Sequence, residues 1–105
     1  MASSREFLNF VLEGLSELDE ITYRPMMGEY LLYYRGKLFG GIYDDRFLVK
    51  PTSAAAAMMP DGEKALPYEG AKEMLVVDRV EDRDFLRELI EATCAELPAP
   101  KKSAR

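Results

Sequence analysis

The chain has no histidine and no tryptophan, and its one cysteine is Cys94. Without histidine the commonest general base and the commonest nitrogen metal ligand are both missing. That removes Ser-His and Cys-His nucleophile pairs, and the usual zinc sites, together. A single thiol excludes a disulfide framework and fits a reducing compartment. Long apolar runs are missing too. The longest, Ala54 to Met59, falls far short of the roughly 20 residues that span a bilayer. The N-terminal MASSREFLNFVLEGL has no basic segment leading into an uninterrupted apolar stretch, so it does not read as a signal peptide. A soluble, cytoplasmic protein with no membrane partner is expected. Basic charge is also in short supply: 14 Lys and Arg stand against 19 Asp and Glu, a formal net charge of −5. Direct nucleic-acid binding, which needs a basic footprint, is disfavoured.

What remains is a chain of 105 residues, 48% hydrophobic, large enough to bury one core without staples. In the first segment Phe7, Leu8, Val11, Leu12, Leu15 and Leu18 recur at helical spacing. Ser3 and Glu6 form a capping box, which predicts a helix over residues 4–18. From Ile21 to Lys50 the period becomes two. This predicts strands at 21–27, 29–34, 37–43 and 46–50, turning at Gly28, Arg35-Gly36 and Asp44-Asp45. Pro51 ends the meander, and Thr52 or Ser53 caps a short helix through Met59. Further strands are expected at 65–69 and 73–79, the second more regular than the first. Asp82 caps a last helix carrying Phe85, Leu86, Leu89, Ile90, Thr93 and Leu97 on one face. The fold class is α+β, two layers, an antiparallel sheet meander with flanking N- and C-terminal helices. Residues 1–97 form one domain and 98–105 a flexible basic tail.

Two-residue hairpin loops set a register: Tyr33 opposite Leu38, Leu31 opposite Gly40, Ile42 opposite Phe47 and Gly40 opposite Val49. Those side chains form an apolar core face. The other face then collects Tyr30, Leu32, Tyr34, Lys37, Phe39, Tyr43, Arg46, Leu48 and Lys50, with rings and cations interleaved. Such a surface suits a partner, since rings supply area and cations supply charge complementarity. It suits equally a sheet whose basic stems lie over its own aromatics. A one-residue slip would exchange the faces. Residues 21–52 hold five basic and three acidic groups, whereas residues 1–20 hold one and five. The sheet is a locally basic part of an acidic protein.

No group of residues has catalytic or metal-binding spacing, and no cofactor motif is present. Asp44-Asp45 reads as turn chemistry. DRVEDRD, from residue 78, lacks the glycine and terminal glutamate of a calcium loop. Gly40-Gly41 lies within a strand and reads as close packing or a bulge, not a phosphate loop. Cys94 reads as a quiet core thiol.

The stretch TYRPMMGEYLLYYRGKLFGGIYDDRFLVKPT resembles the N-terminal domain of the TfoX/Sxy competence regulators. The resemblance rests on Met26-Met27-Gly28-Glu29, on the hairpin Gly36-Lys37-Leu38-Phe39 and on Val49-Lys50, and with the flanking helices it covers residues 4–97. Met27 stands where that family has phenylalanine, and Glu29 where it has a second glycine. The resemblance implies a fold similar to secretion chaperones and a non-enzymatic regulatory or interaction module. It also implies a link to transcription of DNA-uptake genes alongside the cyclic-AMP receptor protein. The longer regulators carry a second domain, so their full activity is not implied for these residues.

Two readings follow. In the first, a protein partner, such as part of the transcription machinery, docks on Tyr30, Tyr34, Phe39, Tyr43, Arg46 and Lys50. A homodimer through a sheet edge or through this face is a further expectation. In the second, a small anionic ligand is held near Arg24, Met27 and Gly28, with Lys50 as a second cation and Glu29 as the nearby base. A deep pocket would favour the second reading, and a flat aromatic sheet the first.

Overall fold

The computed structural model describes residues 4–67 and 69–97. Helix α1 spans Arg5–Gly14 and is followed by turns as far as Leu18. Its cap is Ser4, whose hydroxyl accepts a hydrogen bond from the Phe7 N–H at 3.1 Å. The expected cap, Ser3, and the basic tail lie outside the described residues. The meander follows as β1 (Ile21–Met26), β2 (Glu29–Tyr34), β3 (Lys37–Tyr43) and β4 (Arg46–Val49). All three connections have two residues with positive φ: Met27 and Gly28, Arg35 and Gly36, Asp44 and Asp45. Tight turns of this hand match the twist of the strands they join. β1 therefore stops at Met26, one residue before the expected end, because Met27 is already in the turn.

Helix α2 covers Ser53–Met58, with Thr52 Oγ1 accepting from the Ala55 N–H. Its first turn is also held from a distance. The Glu96 carboxylate accepts from the N–H groups of Ser53 and Ala54, at 3.1 and 2.7 Å. Two short strands, β5 (Lys64–Ala65) and β6 (Met74–Val76), replace the longer ones expected at 65–69 and 73–79. Helix α3 spans Arg83–Ala95 and starts at Asp82, as its sequence predicts. The six strands are ordered β1-β2-β3-β4-β6-β5 with every pair antiparallel. The fold is thus the expected α+β arrangement.

Both long helices pack on one side of this sheet. Leu8, Val11 and Leu15 of α1 and its following turn join Leu86, Leu89 and Ile90 of α3 over Leu32, Phe39, Ile42, Phe47 and Val49. Phe39 and Phe47 meet edge to face, with centroids 6.4 Å apart. Outside this core the helices are clipped together by Arg87–Glu17 at 2.8 Å and Arg83–Glu13 at 3.3 Å. These pairs are exposed, so each contributes little.

The register departs from expectation at one place. Tyr33 is opposite Leu38, but Leu32 is opposite Gly40 and Leu31 opposite Gly41. Phe39 is therefore an extra residue in β3, a β-bulge. Beyond it the expected pairs Ile42–Phe47 and Gly40–Val49 are present. Gly40 accounts for the location. A Cβ built there would run into the Leu48 carbonyl and lie 2.9 Å from Val49 Cα. Only a residue without a side chain lets β4 approach β3 at this point.

Two outcomes follow from the fold. Gly40→Ala should lower the unfolding free energy by about 2–3 kcal/mol, as overpacking against rigid backbone does. The exposed Ala57→Ser should stay within about 0.5 kcal/mol, and urea midpoints would distinguish the two. At the α3 cap, the Phe85 N–H donated to Asp82 Oδ1 is the main cause holding the Asp82 carboxyl below its usual range, and Arg79 adds to it. A depressed folded-state pKa adds stability that is complete above the unfolded value and is lost as pH falls through the folded one. Asp82→Asn keeps a capping oxygen without the charge. The wild type should therefore exceed this variant in urea midpoint at pH 7, and the gap should close below about pH 4.

Candidate functional site

Because the bulge adds one residue to β3, side chains before and after it alternate in opposite phase. The six residues expected on one contact face are divided accordingly. Phe39 is fully buried in the core and Tyr34 is 8% exposed beside it. The Arg35 guanidinium lies over the Tyr34 ring, 5.1 Å from its centroid. Burial is the main cause raising the Tyr34 phenol above its usual range, against the opposing charge of Arg35. Tyr30 packs on the core edge-on to Tyr23, with centroids 5.9 Å apart. Tyr43, Arg46 and Lys50 follow the expected phase and lie away from the helices. Of the six, only these three lie on the helix-free side, and they do not form one face with Tyr30, Tyr34 and Phe39.

The exchange works in the other direction as well. Leu31 and Leu38, expected in the core, are half-buried on the side away from the helices. Lys37, expected on that outer side, points under α3. Its Nζ donates to the Cys94 carbonyl at 3.0 Å, placing a cation at a helix C-terminus that has no basic residue of its own.

The helix-free face carries a cleft of about 580 Å³. Its floor is Leu31, Leu38 and Gly40, flanked by Met26, Tyr43 and Met74. One wall is the β5–β6 connection, through Pro67, Ala71, Lys72 and Glu73; Lys50 and Pro51 close the end of β4. Beneath it, Leu48 is fully buried and Tyr43 is 5% exposed, although neither belongs to the helix-side core. The sheet is apolar on both faces. Two cations, Lys50 and Lys72, reach the cleft, and among the described residues neither has a salt-bridge partner. Arg46 lies beside Tyr43 across the β3–β4 turn. Its Nε is buried with no hydrogen-bond acceptor among the described residues.

The second set of candidates is dispersed. Met27 is 96% exposed at the tip of the β1–β2 turn, and Gly28 completes that turn. Arg24 is exposed, opposite Leu31. Glu29 Oε1 accepts from the Asp44 N–H at 3.1 Å, tying one hairpin tip to another. None of these four lines the cleft that Lys50 lines, so the structure does not bring them together with Lys50. Met26, Leu31, Leu38, Lys72 and Met74 were not expected at a site. For Leu31 and Leu38 the signal was Gly40-Gly41, read as close packing or a bulge but not carried through the register; Lys72 and Met74 had none.

The described residues contain no group of three His, Cys, Asp or Glu side chains placed to hold a metal. No helix among them is long and apolar enough to cross a membrane.

An antiparallel sheet with two helices on one side and an open, cation-bearing cleft on the other fits a small binding domain. The chain belongs to the TfoX N-terminal domain family, whose model matches residues 13–97. It is also similar to an uncharacterized 12.7 kDa protein in the trpE 5′ region of Spirochaeta aurantia. The two are 36% identical over 102 residues, covering 96% of this chain and 89% of that protein. No solved structure gives a significant match. Membership supports a small regulatory-type domain, and the family is not a known enzyme family.

Cys94 is 4% exposed in α3, and burial is the main cause raising its thiol above the usual range, against Lys37 and Lys50. It should react with a thiol reagent such as dithionitrobenzoate only as fast as the chain opens. A rapid stoichiometric reaction in the folded protein at pH 8, matching the rate in urea, would show that α3 does not seal it.

Proposed function

We propose that this is a non-enzymatic regulatory domain that acts by docking a protein partner on the helix-free face of its sheet, in the control of transcription. The observation that carries the reading is the character of that face. Apolar Leu31, half-buried Tyr33 and buried Tyr43 lie among Arg24, Arg46 and Lys50, on a chain whose net charge is −5. Tyrosine and arginine are enriched in interface cores. The link to transcription is what the TfoX/Sxy resemblance implies, and a cytoplasmic location accords with it.

The test uses the source organism. Deleting the gene should change a defined set of transcripts, which the wild-type chain restores. Arg24→Glu/Tyr33→Ala should not restore them, although its circular dichroism and accumulation match wild type. An unchanged transcript profile on deletion, or full complementation by the double variant, would sink the proposal.

A further inference from the structure

We infer that the cleft between β3, β4 and the β5–β6 connection is a binding site for a small amphipathic anion, with one acidic head and an apolar body. This goes beyond docking a protein on the open face, with which the cleft shares Leu31, Tyr43 and Lys50, and its test reads ligand binding, not transcription.

The cleft's volume, about 580 Å³, lies within the range of about 300–1,000 Å³ typical of small-molecule sites. Its shape argues against a flat protein surface reaching the floor. The connection carrying Pro67 and Ala71 stands as a wall over Leu31 and Leu38, and Pro51 is at the end of β4. Proline fixes φ at these edges, which keeps the rim in place. The lining is chiefly apolar. Met26 and Met74 are unbranched and adaptable, so they can close on bodies of different shape.

The sign of the head group follows from the cations. Lys50 and Lys72 line the cleft from different segments, and among the described residues neither is in a salt bridge. Against them stands one lining carboxylate, Glu73. The cleft is thus net positive in a protein of net charge −5, so the charge is a local feature. An ammonium beside apolar walls interacts with an anion more strongly than it would in water. Two lysines on separate segments would hold a carboxylate as point charges, without demanding the fork geometry an arginine imposes. A second copy of this chain would present the same positive cleft, so like charge argues against self-association there.

The test uses the full chain and three soluble probes with one apolar body: 4-phenylbutyrate, 4-phenylbutanol and 4-phenylbutylamine. Chemical-shift mapping of backbone amides should show saturable changes confined to Leu31, Leu38, Gly40, Gly41 and Met74. The carboxylate should bind at least about tenfold more tightly than the amine, equivalent to about 1.4 kcal/mol, with the alcohol between them. Lys50→Gln/Lys72→Gln should abolish that preference while the rest of the spectrum stays unchanged. Leu38→Asn should weaken all three probes. Should the double variant fail to fold, raising salt on the wild type must erode the carboxylate's advantage and spare the alcohol. No saturable change with any probe would overturn the inference. So would changes spread over α1 and α3, or equal affinity for carboxylate and amine.

Discussion

Much of this molecule depends on one extra residue in one strand. Phe39 is inserted into β3 opposite Leu32, and the insertion is possible because Gly40 lets the β4 backbone come within a distance that any side chain would obstruct. Without the bulge, strict alternation would place Phe39 on the same side as Tyr43 and leave the helix side with Leu31 and Leu38. With it, Phe39 turns toward Phe47 and becomes one of the largest fully buried side chains. The core that α1 and α3 cover is therefore assembled from both sides of a phase change. A bulge also increases local twist, and it occurs here at the centre of a six-stranded sheet.

The same phase change explains why two surfaces compete for apolar residues. Leu31 and Leu38, displaced from the core, reappear on the face without helices, and Lys37 is carried the other way. A lysine under a helix would be costly if its ammonium had no acceptor. Here it donates to the Cys94 carbonyl at the C-terminal end of α3, where an exposed helix terminus needs a donor and favours a positive charge. Glu96, two residues further on, caps α2 through Ser53 and Ala54. One helix end thus takes a cation from the sheet and supplies an anion to the next helix. These contacts couple α2, α3 and β3 without any one of them being deeply buried.

The elements themselves were readable in the sequence because their signals are local. Ring-rich strands punctuated by Met27-Gly28, Arg35-Gly36 and Asp44-Asp45 define a meander within one residue at each end. Asp82 and Thr52 cap their helices with a side-chain oxygen three residues before the bonded N–H. The faces were not readable in the same way. Alternation is a local rule, but a bulge breaks it at a position decided by contact with another strand, the Leu48 carbonyl against Gly40. Gly40-Gly41 signalled a bulge or close packing and proved to involve both. Its effect on phase could be drawn only by shifting every residue before it. The cleft was less legible still, since Lys72 and Pro67 come from a connection with no periodicity, 20 or more residues away from the strands they overhang.

The departures from the family pattern at Met27 and Glu29 bear on what the open face can do. A glycine at position 29 would leave the Asp44 N–H without the carboxylate that now accepts from it at 3.1 Å. In this chain the β1–β2 and β3–β4 turns are joined through that bond, at the end of the sheet where Tyr43 and Arg46 stand opposite each other. Met27, at the exposed tip of its turn, takes no part in the cleft, whereas its neighbour Met26 does. The substitutions therefore fall on a hairpin tip beside the site and leave its floor of Leu31, Leu38 and Gly40 intact. Variation at 27 and 29 alters how one rim of the face is held. The positive, apolar character of the cleft is set elsewhere, by Lys50 at the end of β4 and by Lys72 on the overhanging connection. The cleft thus takes Met26, Leu38 and Lys50 from the motif that carries the family resemblance, and none of its lining from the two departures at Met27 and Glu29.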